Sequence, residues 1–365
     1  MIHAYEATRI FTGEEWLLNH CILAKNGIVQ DIVPVEEIPS EAILTSYISG
    51  FLAPAFIDIQ IYGAKGSLLA VDPSAGSLQK MYEYCKAGGA PSFQPTVATN
   101  SYDIFYKCID AVKDYRHKGG KGVIGLHIEG PWINKSKKGA HINEFIHSPT
   151  LEQARALLEY GKGIVTMITL APEVCSTDVI DLIQSYGVII SAGHSNATFE
   201  EANAGFAKGI NVATHLYNAM SPLQHRAPGI VGAVMHHDLV MSSIVADGYH
   251  VDFAAIAIAR KIMQERLFFI TDAVTETSEG YYPHKLIEDK YESNGILSGS
   301  ALTMGKCVKN GVEEAGIELS EALRMASLYP ARVMKLDKHL GKITQGYKAS
   351  FVIMNDNLEV LQAVD

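Results

Sequence analysis

Cysteine is scarce and unpatterned in this chain. The five residues, Cys21, Cys85, Cys108, Cys175 and Cys307, are odd in number and include no CxxC pair. That excludes a disulfide framework and a thiolate zinc site, and leaves the thiols as buried apolar fillers. No apolar run approaches the ~20 residues that a membrane-spanning helix needs. The start of the chain has no basic segment leading into an apolar one, so no secretory signal is expected and the reading is a cytoplasmic protein. Positive charge is also in short supply. Thirty Lys and Arg face 40 Asp and Glu, for a net charge of -10, which argues against a nucleic-acid footprint or an anionic-membrane surface. A local basic pocket for a small anion remains compatible with that balance. Low-complexity tracts and short solenoid repeats are missing too.

What is present is length and alternation. With 365 residues, 48% of them apolar, the chain can build a barrel of about 250 residues and a satellite. The first 50 residues read as short strands over 4–11, 15–24 and 27–33, with Lys25-Asn26-Gly27 as a hairpin signal. No helices separate them, and residues 341–364 repeat the style. The expected organisation is a small β-sandwich domain built from both termini (1–50 plus 341–365) around a (β/α)8 TIM barrel (51–340). Within the barrel, apolar runs at 56–62, 92–97, 123–128, 164–170, 188–192, 211–215, 240–246 and 267–271 make eight strands. Amphipathic segments at 102–118, 151–160, 177–186, 199–208 and 253–263 supply helices between them. Residues 281–295 interrupt the alternation and suggest a hairpin after the eighth strand, and helices resume over 303–335.

Several of these runs stop on a residue that is costly to bury. GLHIEGP (125–131) stops on Glu129, VIISAGH (188–194) on His194, VATH (212–215) on His215 and LFFITD (267–272) on Asp272. Strand C-termini form the active rim of such a barrel. Two histidines and one carboxylate are a catalytic metal set that leaves a position open. Glu129, His194 and His215 are therefore the expected metal ligands, and Asp272 is the expected general base. Glu173, in LAPE, reads as structural.

The ordered strings PAFIDIQIYG (54–63), GLHIEGPWIN (125–134), KKGAHI (137–142), LAPE (170–173), SAGHSNAT (191–198), THLYNAMSP (214–222), ADGYH (246–250), TDA (271–273) and LSGSALTM (297–304) go further. Together with MASLYPAR (325–332) and GKITQGYKASFVIM (341–354), they resemble the N-acetylglucosamine-6-phosphate deacetylases of the amidohydrolase superfamily. The resemblance places metal ligands at Glu129, His194 and His215 and the catalytic aspartate at Asp272. It places substrate contacts at Ala140, His141, Asn218, Ala219, Arg226, Asp247, Gly248, Tyr249, His250, Leu297, Ser298 and Gly299. Many relatives carry His-x-His at the end of the first strand and hold two metals. Here the sequence is Gln60-Ile61-Tyr62. Gln60 fits the single-metal members, whereas Tyr62 departs from their usual Asn.

The implied reaction is removal of the acetyl group from an amino-sugar 6-phosphate, giving acetate and the free amine. One divalent metal per chain is expected, zinc first, with iron, manganese or cobalt as alternatives. His141 would stabilise the developing oxyanion. Arg226, helped by Asn218 and His250, would bind the phosphate, and the resemblance implies that Arg226 reaches across a homodimer interface. Two other readings stand beside this one: hydrolysis of another amide or cyclic amide, which would more naturally show His-x-His, and a non-catalytic barrel, which would have lost a ligand or the aspartate.

Overall fold

The eight expected barrel strands form, at Ile57–Ile61, Ser92–Ala98, Leu126–Glu129, Val165–Leu170, Ile189–Ala192, Val212–Ala213, Met241–Val245 and Leu267–Ile270. They pair in chain order in one eight-stranded sheet, and the pairings from Ser92–Ala98 through Leu267–Ile270 are parallel. Residues of both pleat faces are buried in most of these strands. That is why they read as continuous apolar runs rather than alternations. The sheet closes where Asp272 N donates to Gln60 O (3.0 Å) and Tyr62 N donates to Ala273 O (2.9 Å). The computed structural model describes residues 1–365, apart from the side chain of Ile48.

The helices start where side chains can satisfy their free N–H groups. Thr150 and Thr198 make capping boxes with Gln153 and Glu201, and Ser101, Ser176 and Asp252 cap Tyr102–His117, Thr177–Ser185 and Phe253–Met263. Two helices not marked in the sequence also form, Ala75–Ala87 and Gly229–His236.

The chain divides into two compact units. One comprises Met1–Asp58, Glu83–Ser92 and Thr303–Asp365, and the other Ile59–Tyr82 and Phe93–Leu302. In the first, the strands Ile2–Phe11, Trp16–Lys25, Ile28–Pro34, Ile43–Pro54, Phe351–Met354 and Val360–Val364 hydrogen-bond into a single six-stranded sheet. Its members are antiparallel except that the first strand runs parallel to the fourth. Ile10, Ile22, Val29, Leu52, Phe351 and Ile353 form its main apolar cluster, and Ala4, Cys21 and Leu23 form a smaller one. In the second unit the expected hairpin appears with a third strand, as Lys285–Ile287, Lys290–Ser293 and Ile296–Ser300. Among the described residues, no helix is long and apolar enough to cross a membrane.

Candidate active site

Sheet register sets the height of each rim residue. Glu129 ends the third barrel strand opposite Ala98 and Thr169. Ala192 and Ala213 are paired, so His194 and His215, each two residues further on, leave adjacent strands at the same level. Both histidines have positive φ (47° and 35°), as do Asp272 (54°) and Ala219 (51°). Non-glycine residues held there are strained, and such strain gathers at functional sites.

The side chains converge on Glu129, which is 1% exposed. Its Oε1 lies 3.1 Å from His215 Nε2 and 3.4 Å from His194 Nε2, and those two nitrogens are 3.1 Å apart. Its Oε2 lies 3.1 Å from His141 Nε2 and 2.5 Å from the Tyr62 hydroxyl. A buried carboxylate of this kind costs several kcal/mol unless it is paired. Burial alone would raise its pKa, yet His194, His141 and His215 together hold it well below the usual carboxylate range.

The donor inventory fits a cation. His194 Nδ1 sits 2.9 Å from Lys137 O. A carbonyl only accepts, so Nδ1 carries the proton, and in the neutral ring Nε2 offers a lone pair toward Glu129 Oε1. A lone pair aimed at a carboxylate is a state that a metal ion stabilises. Ligand atoms of Glu129, His141 and His194 also lie within 4.8 Å of one another, so His141 joins the group. His141 Nδ1 lies 2.7 Å from Thr99 Oγ1, whose hydroxyl donates to Glu129 O (3.2 Å), and its Nε2 lies 3.1 Å from Glu129 Oε2. Burial, reinforced by His194, pushes His141 down to about 4. His215 is opposed by burial but is held above its ordinary value by Glu129.

Gln60 ties the carboxylates together. Thr214 Oγ1 donates to Gln60 Oε1 (2.5 Å), so the amide's other end faces the rim, where Nε2 lies 2.7 Å from the Tyr62 hydroxyl, 2.8 Å from Asp272 Oδ1 and 3.1 Å from Glu129 Oε1. Burial and the charge of Glu129 raise Asp272 above 3.8, against the pull of His215 and His250. Tyr62, buried and beside Glu129 and Asp272, is pushed well above 10 and keeps its proton.

A cavity opens over this group. Ala140, His141, Asn218, Ala219, His250, Leu297 and Ser298 line it, with Glu129, His194, His215, Asp272 and Tyr62 at its base. Among the expected contact residues, Arg226, Asp247, Gly248, Tyr249 and Gly299 are not in its lining. Arg226 is exposed. Asp247 spends its oxygens within its own loop. Oδ1 accepts from Tyr249 N and His250 N, and Oδ2 is 2.5 Å from His250 Nδ1. It therefore aims the His250 ring, whose Nε2 lies 3.9 Å from Asp272 Oδ2. A Cβ on Gly299 (φ 146°) would lie 2.6 Å from Val274 and 3.1 Å from Asp272 O, so this glycine allows the third hairpin strand to approach the base. Glu173 is structural, accepting from Asn134 Nδ2, Ser195 Oγ and Asn196 N and so pinning the loop after His194.

Two lining residues carried no signal in the sequence, Tyr282 and His284, just before the hairpin. The Tyr282 hydroxyl donates to Thr99 O, and His284 Nδ1 is 2.8 Å from Ser298 Oγ. Nothing in a spacing of single residues separates them from surface positions.

With this geometry in hand, comparison with known proteins is direct. The amidohydrolase family profile matches residues 51–364, and the NagA composite domain matches residues 3–47. A Haemophilus influenzae N-acetylglucosamine-6-phosphate deacetylase is 33% identical over 97% of this chain and 96% of its own length. An N-acetylgalactosamine-6-phosphate deacetylase of Escherichia coli O157:H7 is 30% identical over 99% and 97%. The crystal structure of the N-acetylglucosamine-6-phosphate deacetylase from Pasteurella multocida superposes with a TM-score of 0.95 at 33% identity, covering 100% of this chain and 98% of that one. The chain belongs to the amidohydrolase family, whose members are metal-dependent hydrolases.

Proposed function

We propose that this chain hydrolyses the amide of N-acetyl-D-glucosamine 6-phosphate, giving D-glucosamine 6-phosphate and acetate in amino-sugar catabolism. The observation that carries the reading is the convergence of Glu129, His194 and His215 at one height of the rim, with Asp272 joined to Glu129 through Gln60. The likeness to deacetylases over nearly the whole chain supports the substrate.

Glu129, His194 and His215 would hold one divalent ion, zinc in the first instance. When bound, such an ion supplies Lewis acidity for the amide carbonyl and acidifies water. Asp272 Oδ1 is engaged by Gln60, so Oδ2 is the oxygen that takes the proton from the attacking water and later returns it to the departing amine. His141, kept neutral by burial, lines the cavity and would turn its Nε2 from Glu129 Oε2 to the oxygen that gains charge, with its N–H on that nitrogen. Asn218 and His250 meet the sugar phosphate from the cavity wall, and Arg226 meets it from a second copy of the chain. The working form is thus a homodimer, and the expected compartment is the cytoplasm.

Acetate release from N-acetylglucosamine 6-phosphate, from the unphosphorylated sugar and from N-acetylgalactosamine 6-phosphate tests this, with metal-loaded and chelator-treated enzyme. N-acetylglucosamine 6-phosphate should be preferred to unphosphorylated N-acetylglucosamine by at least about tenfold in kcat/KM, the scale of one charged contact. Activity should disappear on metal removal and return on reloading. Preference for the galactosamine substrate, or activity indifferent to chelator, overturns the reading.

A further inference from the structure

Tyr62 directly follows the first barrel strand, Ile57–Ile61. Its backbone is fixed from both sides, because Tyr62 N donates to Ala273 O and Leu69 N donates to Tyr62 O (2.9 and 3.0 Å). Its hydroxyl has one hydrogen to give, and the surroundings decide where it goes. Asp272 Oδ1 and Glu129 Oε1 only accept, so Gln60 turns its NH2 group toward them, and the Tyr62 oxygen lies 2.7 Å from the same nitrogen. The phenol hydrogen is then left for Glu129 Oε2, 2.5 Å away. The two oxygens of Glu129 consequently face different groups, with Oε1 toward His194 and His215 and Oε2 toward Tyr62 and His141.

We propose that Tyr62 is a positioning residue of a one-metal centre: by donating to Glu129 Oε2 it reserves Oε1 alone for the ion and closes the carboxylate to a second one. The proposal rests on the metal reading above. A carboxylate bridges two ions only when each oxygen turns a lone pair to its own ion, and here Oε2 already accepts a short hydrogen bond. Partners behind a ligand set its orientation and its donor strength. Tyr62 does so through its hydroxyl, without adding a ligand of its own.

Cobalt(II) reads this directly, because its visible bands are strong in four-coordinate sites and weak in five- or six-coordinate ones. Metal-stripped protein is reloaded with cobalt(II), analysed for ions per chain, and titrated with a competing chelator. The wild type should hold one ion with strong four-coordinate bands. Tyr62→Phe removes the shorter of the two contacts on Oε2 and leaves only His141 there, so Oε2 can join the ion, the bands should weaken and shift, and cobalt affinity should change by about 10–100-fold, the range for losing such a partner. An unchanged spectrum and affinity in Tyr62→Phe overturns the proposal while leaving the metal site intact. Wild-type protein that binds no ion overturns the metal reading beneath it. If Tyr62→Phe does not fold, the wild type still decides, since two ions per chain or weak high-coordinate bands are incompatible with Oε1 as a lone carboxylate ligand.

Discussion

Asp272 has two unlike oxygens. Oδ1 takes a hydrogen bond from Gln60, while Oδ2 faces the cavity with His250 Nε2 3.9 Å away. Asp272→Asn keeps the shape and removes the base. Turnover should fall by roughly 10²–10⁴-fold, the scale of general acid–base catalysis. Metal content should hold, since the carboxyl is outside the ligand trio. Elemental analysis beside steady-state kinetics checks both, and near-normal turnover would remove Asp272 from the mechanism. Glu129, His194, His215 and Asp272 stood out where an apolar strand stopped on something costly to bury, and the structure brings these four together. His141 sits 12 residues from Glu129 in a loop without periodic pattern, and its bond to Glu129 Oε2 depends on a loop path that spacing does not encode. Asp247 lies in the motif that suggested substrate contact, yet the fold gives its carboxylate to His250. A motif marks which residues gather, while the local hydrogen-bond count decides which of them face the ligand.

Elements differ in the same way. The barrel strands and five of their helices were legible because full burial writes continuous apolar runs and because caps mark helix starts. Helix Gly229–His236 was not, since seven of its eight residues are buried and a helix buried nearly all round has no amphipathic period. Strand Ile43–Pro54 was not marked either. It is paired on both edges, parallel to the first strand and antiparallel to Phe351–Met354, and the second partner lies some 300 residues away. The segment leading into the inserted three-stranded sheet carries His284, which burial pushes down to about 4 from 6.5. Its backbone pairs with Thr277, and its Nδ1 meets Ser298. Because the unfolded chain binds the proton more readily, its neutral burial contributes fully above pH 6.5, and stability is lost as pH falls toward 4. Between pH 7.5 and 5 the loss traceable to His284 is roughly 2 kcal/mol. Urea unfolding of wild type and His284→Gln at both pH values should show the variant losing less stability than wild type by about that amount. Equal losses would mean that the ring takes up its proton in the folded state without penalty.

At the scale of the whole molecule, the cavity of one chain has no arginine in its lining. Arg226 and His225 form the tip of a tight turn in which Gln224 and Ala227 exchange both backbone hydrogen bonds (3.2 Å each). Ser221 anchors the turn by donating to Ala197 O and accepting from Ile230 N. A turn braced this closely to its own barrel presents Arg226 outward, beside the exposed Leu223. In the homodimer proposed above, a second copy covers this surface and Arg226 completes the neighbouring active site in trans. Arg226→Ala should cost roughly 1.5–3 kcal/mol of a charged hydrogen bond. Catalytic efficiency on the phosphorylated sugar should therefore fall at least about tenfold, with little change on the unphosphorylated one. Subunit exchange between Arg226→Ala and Asp272→Asn chains tests the geometry. In a mixed dimer, the site with an intact Asp272 receives its arginine from the Asp272→Asn chain and lacks nothing, and the other site carries both defects. Activity on the phosphorylated substrate should then rise well above that of either parent. Verified exchange without such recovery would place Arg226 within its own chain's site or outside the reaction altogether.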